Sequence, residues 1–183
     1  VSIIPGANLS LRQLAGPLFA ALLAGTAVPL LYFVGVILWG THLFEARFVI
    51  PIGGMILGNC LRADVIGIRR FYQSVRQERK AFLQALSEGA NLAEATEPYR
   101  RAAMQEALAP TLATMATVGL VSLPGMMTGV ILGGTNPAVA VMYQIAIMMA
   151  IFTGTSITVF LAIRLSRRTA FDGYGLLRDQ LFR

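Results

Sequence analysis

The sequence predicts an all-α membrane protein with about four membrane-spanning helices and one helical loop between them. Of its 183 residues, 56% are hydrophobic and only 13% are charged, whereas soluble domains carry about 25% charged residues. The segment from Ala107 to Ile163 also contains no Asp, Glu, Lys or Arg. It is at least twice the roughly 20 residues that cross a bilayer as a helix.

The first third of the chain holds two predicted spans. Residues 17–39 lie in an uncharged run and would form a helix about 35 Å long, enough to cross the hydrocarbon core. Residues 48–68 form the second span only if Arg62 and Asp64 face protein or extend towards the membrane surface. Within this span, Gly54 and Gly58 are predicted to let another helix approach closely.

The long uncharged segment is predicted to fold back as a hairpin, with residues 111–134 and 138–163 as the third and fourth spans. The sequence Gly-Gly-Thr-Asn-Pro at 133–137 is a turn signal between them. Inside the third span, Pro124 and Gly125 are expected to interrupt the helix. Transporters build binding sites from such interrupted helices; a kinked packing helix is the alternative.

The polar segment 69–106 is predicted to be a helical loop. Gly89 and Ala90 end one helix, and Asn91 with Glu94 three residues later is typical of an N-cap with a capping box. Pro98 is expected in the first turn of the helix that follows.

The distribution of charge predicts the orientation in the membrane. With the loop at 69–106 and both ends, including the tail at 164–183, in the cytoplasm, every one of the 15 Lys and Arg residues except Arg47 lies inside or at the inner boundary. We attribute the sequence pI of about 10.2 to these loops at the lipid bilayer, and we expect no nucleic-acid partner.

No catalytic site is predicted, and we do not expect an enzyme. The sequence has no Gly-x-x-x-x-Gly-Lys-Ser/Thr phosphate loop, since its one lysine, Lys80, follows Arg79. It has a single histidine, so no His-x-x-x-His metal pair exists. We expect no cofactor in this chain, and the sequence assigns no metal ligands.

Four segments resemble a known family. The sequence VGLVSLPGMMTG at 118–129 resembles the signature of the FetB-type iron-export ABC permease family, and residues 50–59, 85–90 and 143–145 match the family in the same order. The family includes bacterial iron exporters and plant aluminium-tolerance relatives. Its members carry further spans before the point that matches Pro17, so the resemblance implies an N-terminally truncated chain.

The resemblance implies a permease subunit, working as a homodimer, that exports iron or another metal with energy from a separate ABC ATPase subunit binding ATP-Mg. It implies a translocation path formed by Asn59, Ser122, Pro124, Gly125, Met126, Met127, Thr128 and Gly129. It implies an ATPase coupling loop that includes Leu86, Glu88, Gly89, Ala90, Asn91 and Glu94. The alternatives are a secondary transporter driven by an ion gradient, with Arg62 and Asp64 as a charged relay, and a structural membrane subunit.

Overall fold

The computed structural model describes residues 11–33, 35, 46–118 and 124–172. These residues form α-helices and no β-sheet, which confirms the all-α prediction. The helices are α1 (Leu11–Tyr32), α2 (Ala46–Gln77), α3 (Arg79–Ser87), α4 (Leu92–Ala95), α5 (Glu97–Thr117), α6 (Gly125–Leu132) and α7 (Pro137–Ala170).

Among the described residues, 3 helices are long and apolar enough to cross a membrane: Ala15–Tyr32, Val49–Gln77 and Pro137–Ala170. They correspond to the first, second and fourth predicted spans. The predicted third span, 111–134, contains the end of α5 and all of α6, and residues 119–123 between them lie outside the described part. The chain is a multi-pass membrane protein, and its number of spans stays a prediction.

Helix α2 is longer than the predicted second span, 48–68, and continues to Gln77. No Gly or Pro follows Gly67 in this helix, so nothing in the local sequence ends it earlier. The side chains of Phe71, Tyr72 and Val75 are also buried, so packing stabilises these last turns. The segment predicted as a loop, 69–106, therefore begins with helix.

Helix α7 lies at the centre of the fold and packs against α1, α2, α5 and α6. Large apolar residues of α7 contribute to two buried clusters. One includes Phe71, Tyr72, Val159 and Ile163, and the other includes Phe33, Ile52, Ile56, Ile147 and Ile151. Large apolar side chains such as Leu31, Ile50 and Met142 are exposed on the outside, as expected for helices that lipid or another membrane chain surrounds.

The tightest helix crossing joins α1 to α7 at two glycines. A Cβ added to Gly25 would lie 2.5 Å from the Thr158 Cβ, and one added to Gly154 would lie 2.7 Å from the Gly25 carbonyl oxygen. Among the described residues, nothing approaches Gly54 or Gly58 as closely as predicted, because a Cβ added to either would meet nothing within 4 Å. Both glycines lie on the exposed side of α2.

Candidate functional site

The helix interruption predicted at Pro124 is present. Helix α5 ends at Thr117, and Val118 after it has extended backbone angles (φ −60°, ψ 130°). Helix α6 begins at Gly125, and Pro124 before it is also extended (φ −59°, ψ 139°). Proline explains the end of the interruption, because it disfavours helical geometry in the residue before it while it is tolerated where a helix starts.

The residues of the predicted signature begin helix α6. Gly125 and Gly129 are exposed, and a Cβ added to either would meet nothing within 4 Å. The Thr128 hydroxyl donates to the Pro124 carbonyl oxygen at 3.4 Å, and Met127 is half-buried. Ser122 and the side chain of Met126 lie outside the described part. The glycines therefore present bare backbone on the outer face of this chain.

Asn59, the other residue predicted for the translocation path, lies on α2 and lines a cavity of about 20 Å³ between α2 and α5. Its side-chain amide donates to the Met55 carbonyl oxygen at 2.8 Å. The cavity also contacts Pro110, Thr111 and Thr114, in the turns of α5 that lead to the interruption. A space of this size holds about one water molecule. The described residues thus place Asn59 beside α5, and none of the residues that line this cavity belongs to α6.

The predicted coupling residues form a sharp corner between α3 and α4. Gly89 has φ +95°, its N–H donates to the Leu86 carbonyl oxygen at 3.1 Å, and the Ala90 N–H donates to the Ala85 carbonyl oxygen at 3.1 Å. This pattern is a Schellman motif, which ends a helix with a left-handed residue. Glycine is favoured at Gly89 because it adopts positive φ without steric cost.

Helix α4 begins with the predicted capping box. The Asn91 side-chain oxygen accepts from the Ala93 and Glu94 backbone N–H groups at 2.9 and 3.0 Å. The Glu94 carboxylate accepts from the Asn91 backbone N–H at 2.9 Å. The prediction is confirmed, and both ends of the turn from Ser87 to Leu92 are fixed by local hydrogen bonds. We name residues 86–95 the α3–α4 corner.

The outer side of the α3–α4 corner is exposed and its base is buried. Glu88, Gly89, Asn91 and Glu94 are exposed, Leu86 and Ala90 are half-buried, and Ala95 is buried. Thr96, directly after α4, is fully buried. Its hydroxyl oxygen accepts from the Arg167 guanidinium of α7 at 2.6 Å. The corner is thus joined to the end of the central helix.

Aromatic packing provides a second connection between the corner and α7. Phe82 of α3 lies 5.8 Å from Phe171, just after α7, and 6.4 Å from Tyr99 of α5, measured between ring centroids. All three side chains are buried. Arg100 of α5 also lies over the Phe160 ring of α7 at 5.3 Å, a cation–π distance. Helices α3, α4 and α5 therefore pack on the end of α7 as one unit.

Charged groups fix the first turn of α5. The Arg100 guanidinium donates to both carboxylate oxygens of Glu97, with an Nε–Oε2 distance of 2.8 Å and an Nη2–Oε1 distance of 2.7 Å. This hydrogen bonding lowers the pKa of the Glu97 carboxyl below its usual value. A negative charge in a first helical turn is also stabilised by the helix dipole.

A charged relay would need Arg62 and Asp64 of α2 to lie together, but the structure places them in different surroundings. Arg62 is exposed, whereas Asp64 is 8% exposed and accepts a hydrogen bond from the Thr158 hydroxyl of α7 at 3.1 Å.

The sequence did not indicate Thr158, Gly25 or Gly154 as part of a site. The one feature that could have pointed to them is their type: small and hydroxyl residues within apolar helices favour close helix contacts in membranes.

Comparison with known proteins identifies the relatives of this sequence. The model of the uncharacterised protein family UPF0014 matches residues 5–171. The UPF0014 membrane protein slr1647 of Synechocystis is 39% identical over 140 residues, covering 76% of this chain and 54% of the relative. The UPF0014 membrane protein STAR2 of rice is 32% identical over 162 residues, covering 88% and 56%.

A third relative has a name that states an activity. The Probable iron export permease protein FetB of Escherichia coli is 35% identical over 154 residues, covering 84% of this chain and 58% of the relative. The chain thus spans just over half the length of these relatives. No solved structure matches it.

Proposed function

Because this chain belongs to the uncharacterised protein family UPF0014, we propose that it is the membrane permease subunit of an ATP-driven exporter of iron or another metal. A separate ATPase subunit supplies the energy. The name of the Escherichia coli relative supports export of iron, and the fold of long apolar helices supports a role in membrane transport. Residues 1–183 contain no phosphate loop, so the proposal assigns ATP hydrolysis to the partner.

The exposed α3–α4 corner is the observation that carries the ATPase part of the proposal. Its outer residues are fixed by the Schellman motif at Gly89 and the capping box at Asn91. A surface held in one conformation loses less entropy when a partner binds. Small side chains at Ala90 and Ala93 leave room for another protein. We assign this corner as the surface that docks on the ATPase.

Movement of the corner would reach the membrane through α7. The Arg167–Thr96 hydrogen bond and the Phe82–Phe171 contact join the corner to the end of that helix, and α7 packs against α1 and α2. A contiguous set of packed elements is the physical requirement for such coupling. The ATPase would therefore act on the spans by displacing one rigid unit.

The interruption before α6 is proposed to line the translocation path of a homodimer. Gly125 and Gly129 expose bare backbone on this chain, and small residues allow a second membrane chain to approach closely. The path residues would be Asn59, Ser122 and Pro124–Gly129. A broken helix at membrane depth requires cover by protein or a water-filled cavity, and a second copy together with the path would supply both.

Transport by the purified complex in lipid vesicles tests the energy source. We expect iron to move across the vesicle membrane only with the ATPase subunit and with ATP-Mg on its side. A non-hydrolysable ATP analogue is the matched control and should give no transport. Transport that needs an ion gradient and proceeds without ATP would instead support the secondary-transporter alternative.

Substitution of Gly89 tests the docking surface. Gly89→Asp adds a charge at the tip of the corner, and at a docked tip an unpaired buried charge costs about 2–5 kcal/mol of association. We expect the variant to insert in the membrane but to lose the ATPase on co-purification and to lose transport.

Gly89→Ala is the matched control, because it adds the left-handed backbone strain of about 1 kcal/mol without charge. Its Cβ meets nothing within 4 Å in this chain, so we expect it to retain the ATPase. If Gly89→Asp keeps its partner and its transport, residues 86–95 are not the coupling element.

A further inference from the structure

Asp64 lies within the candidate membrane span of α2, where α2 meets α1 and α7. Its side chain faces Thr158 of α7, six residues before Arg164 and so about 9 Å along the helix from that charge. The Thr158 Cβ would lie 2.5 Å from a Cβ on Gly25 of α1. Asp64 is 8% exposed. A carboxyl group so enclosed in a membrane helix points to a functional role.

The two oxygens of Asp64 have different surroundings. Oδ2 accepts from the Thr158 hydroxyl at 3.1 Å. Oδ1 is buried and, among the described residues, has no hydrogen-bond partner. Among the described residues, no ion pair joins Asp64 to a cation, and the nearby Arg70 pairs with Glu106 instead.

The polar and titratable groups near Asp64 come from α2 itself and from α1, α5 and α7. On α2 itself, the titratable neighbour is the buried thiol of Cys60, one turn earlier. Helix α1 contributes the hydroxyl of Thr26, whose oxygen is buried, and α7 contributes Thr158. On α5, the charged residue beside the packed turn is Glu106, which pairs with Arg70 at 3.2 Å. None of these groups supplies a positive charge to a carboxylate at Asp64.

An ionised carboxylate is therefore unfavourable in the closed junction. Burying an isolated charge in an apolar region costs far more than burying a neutral polar group, and removing a group's partners leaves the full desolvation penalty. One hydrogen bond from a threonine does not replace the hydration of two carboxylate oxygens. A protonated Asp64 carboxyl fits this site much better than a carboxylate, because no charge is buried and only the uncharged Oδ1 then lacks a partner among the described residues.

We propose that Asp64 is an intramembrane proton-binding site. The carboxyl holds one proton as the neutral acid while the junction is closed. It releases that proton, leaving a carboxylate, when α1, α2 and α7 separate enough for water to reach Oδ1. The ligand is the proton itself, and no other reactant is needed. This proposal does not rest on the ATPase, because it concerns only the packing of this chain.

The glycine crossing makes proton release depend on helix movement. The Gly154 carbonyl oxygen lies 2.9 Å from a Cβ built on Gly25, and the Thr158 Cα lies 3.0 Å from it. Because these backbones are in contact, we expect no room for water between α1 and α7 beside Thr158, which binds Asp64. Coupling between two equilibria is reciprocal, so a conformation that separates α1 from α7 favours proton release, and ionisation of Asp64 favours that conformation.

Infrared difference spectroscopy of the protein in lipid vesicles tests the proposal. At neutral pH, exposed carboxyls with an ordinary pKa of about 4 are ionised, so the carbonyl band of a protonated carboxyl identifies a group held in the neutral form. We expect wild-type protein to show this band and Asp64→Asn to lack it. Glu78→Gln, which changes an exposed carboxyl, is the matched control and should leave the band intact.

Two further measurements keep the result decisive. In a chain with Asp172→Asn and Asp179→Asn, isotopic labelling of aspartate marks Asp64 alone among residues 1–183. The label should shift the carbonyl band. This measurement does not require the Asp64→Asn protein to accumulate. Thr158→Val removes the hydrogen bond at Oδ2 and should move the band to the frequency of a less hydrogen-bonded acid. If labelling of the chain with Asp172→Asn and Asp179→Asn shifts only carboxylate bands, the proposal is overturned.

Discussion

The crossing of α1 and α7 predicts a specific cost for one added methyl group. In Gly25→Ala, the new Cβ would lie 2.5 Å from the Thr158 Cβ, 2.9 Å from the Gly154 carbonyl oxygen and 3.0 Å from the Thr158 Cα. Carbon atoms pack best at about 3.5–4.0 Å, so the helices must separate by about 1 Å. All of these atoms belong to the backbone or are attached directly to it, so no side-chain rotation relieves the contact.

The expected magnitude follows from two opposing effects. Overpacking of this kind costs about 1–3 kcal/mol, while replacing glycine by alanine in a helix gains about 1 kcal/mol. Gly16→Ala on the same helix is the matched control, since its Cβ would meet nothing within 4 Å. It keeps the helix gain without the clash. Gly25→Ala should therefore be about 1–3 kcal/mol less stable than Gly16→Ala.

Denaturant unfolding of both variants in detergent micelles, followed by helical circular dichroism, measures this difference. We expect the Gly16→Ala midpoint to equal or exceed that of wild type, and the Gly25→Ala midpoint to fall below that of Gly16→Ala. A Gly25→Ala protein as stable as Gly16→Ala would refute the close crossing. That result would also remove the argument that the contact between α1 and α7 keeps water away from Asp64.

Three further predictions concern the corner, the signature and the topology. Asn91→Ala removes the cap of α4 and should cost about 1 kcal/mol, measured as faster amide hydrogen exchange in residues 86–95 with the transmembrane helices unchanged. Gly125→Leu should abolish transport while the protein still reaches the membrane, because a large side chain blocks the close approach proposed there; wild-type transport would remove the idea. In a chain without its native cysteine, Thr135→Cys should react with an impermeant thiol reagent in whole cells, as the positive-inside rule predicts. If Gln84→Cys reacts instead, the orientation in the membrane is the reverse of the predicted one.

Local features of the fold could be predicted from the sequence because neighbouring residues determine them. The capping box at Asn91 needs only the glutamate three residues later. The turn between α6 and α7 follows from Gly134, which has φ +91°, and from Asn136, which accepts from the Ala138 N–H at 2.9 Å. The apolar runs identified a membrane protein, and the signature resemblance identified the family, which the family match confirms.

Contacts between distant helices could not be predicted in the same way. Gly54 and Gly58 have the spacing of a packing face, yet they lie on the exposed side of α2. Gly25 and Gly154 make the close crossing instead, because helix rotation and register, which one sequence does not specify, decide which glycines meet. The Arg167–Thr96 hydrogen bond joins residues 71 positions apart, so no local pattern signals it.

Site-specific cross-linking at the α3–α4 corner tests the central claim most directly. A photoreactive group attached to Ala93→Cys would sit on the exposed side of the corner, whereas the same group on Gln73→Cys would sit on an exposed position of α2. In membranes that contain the proposed ATPase subunit, we predict a cross-link to the ATPase from position 93 and none from position 73. An intact complex that yields no cross-link from position 93 would contradict the assignment of the corner as the docking surface.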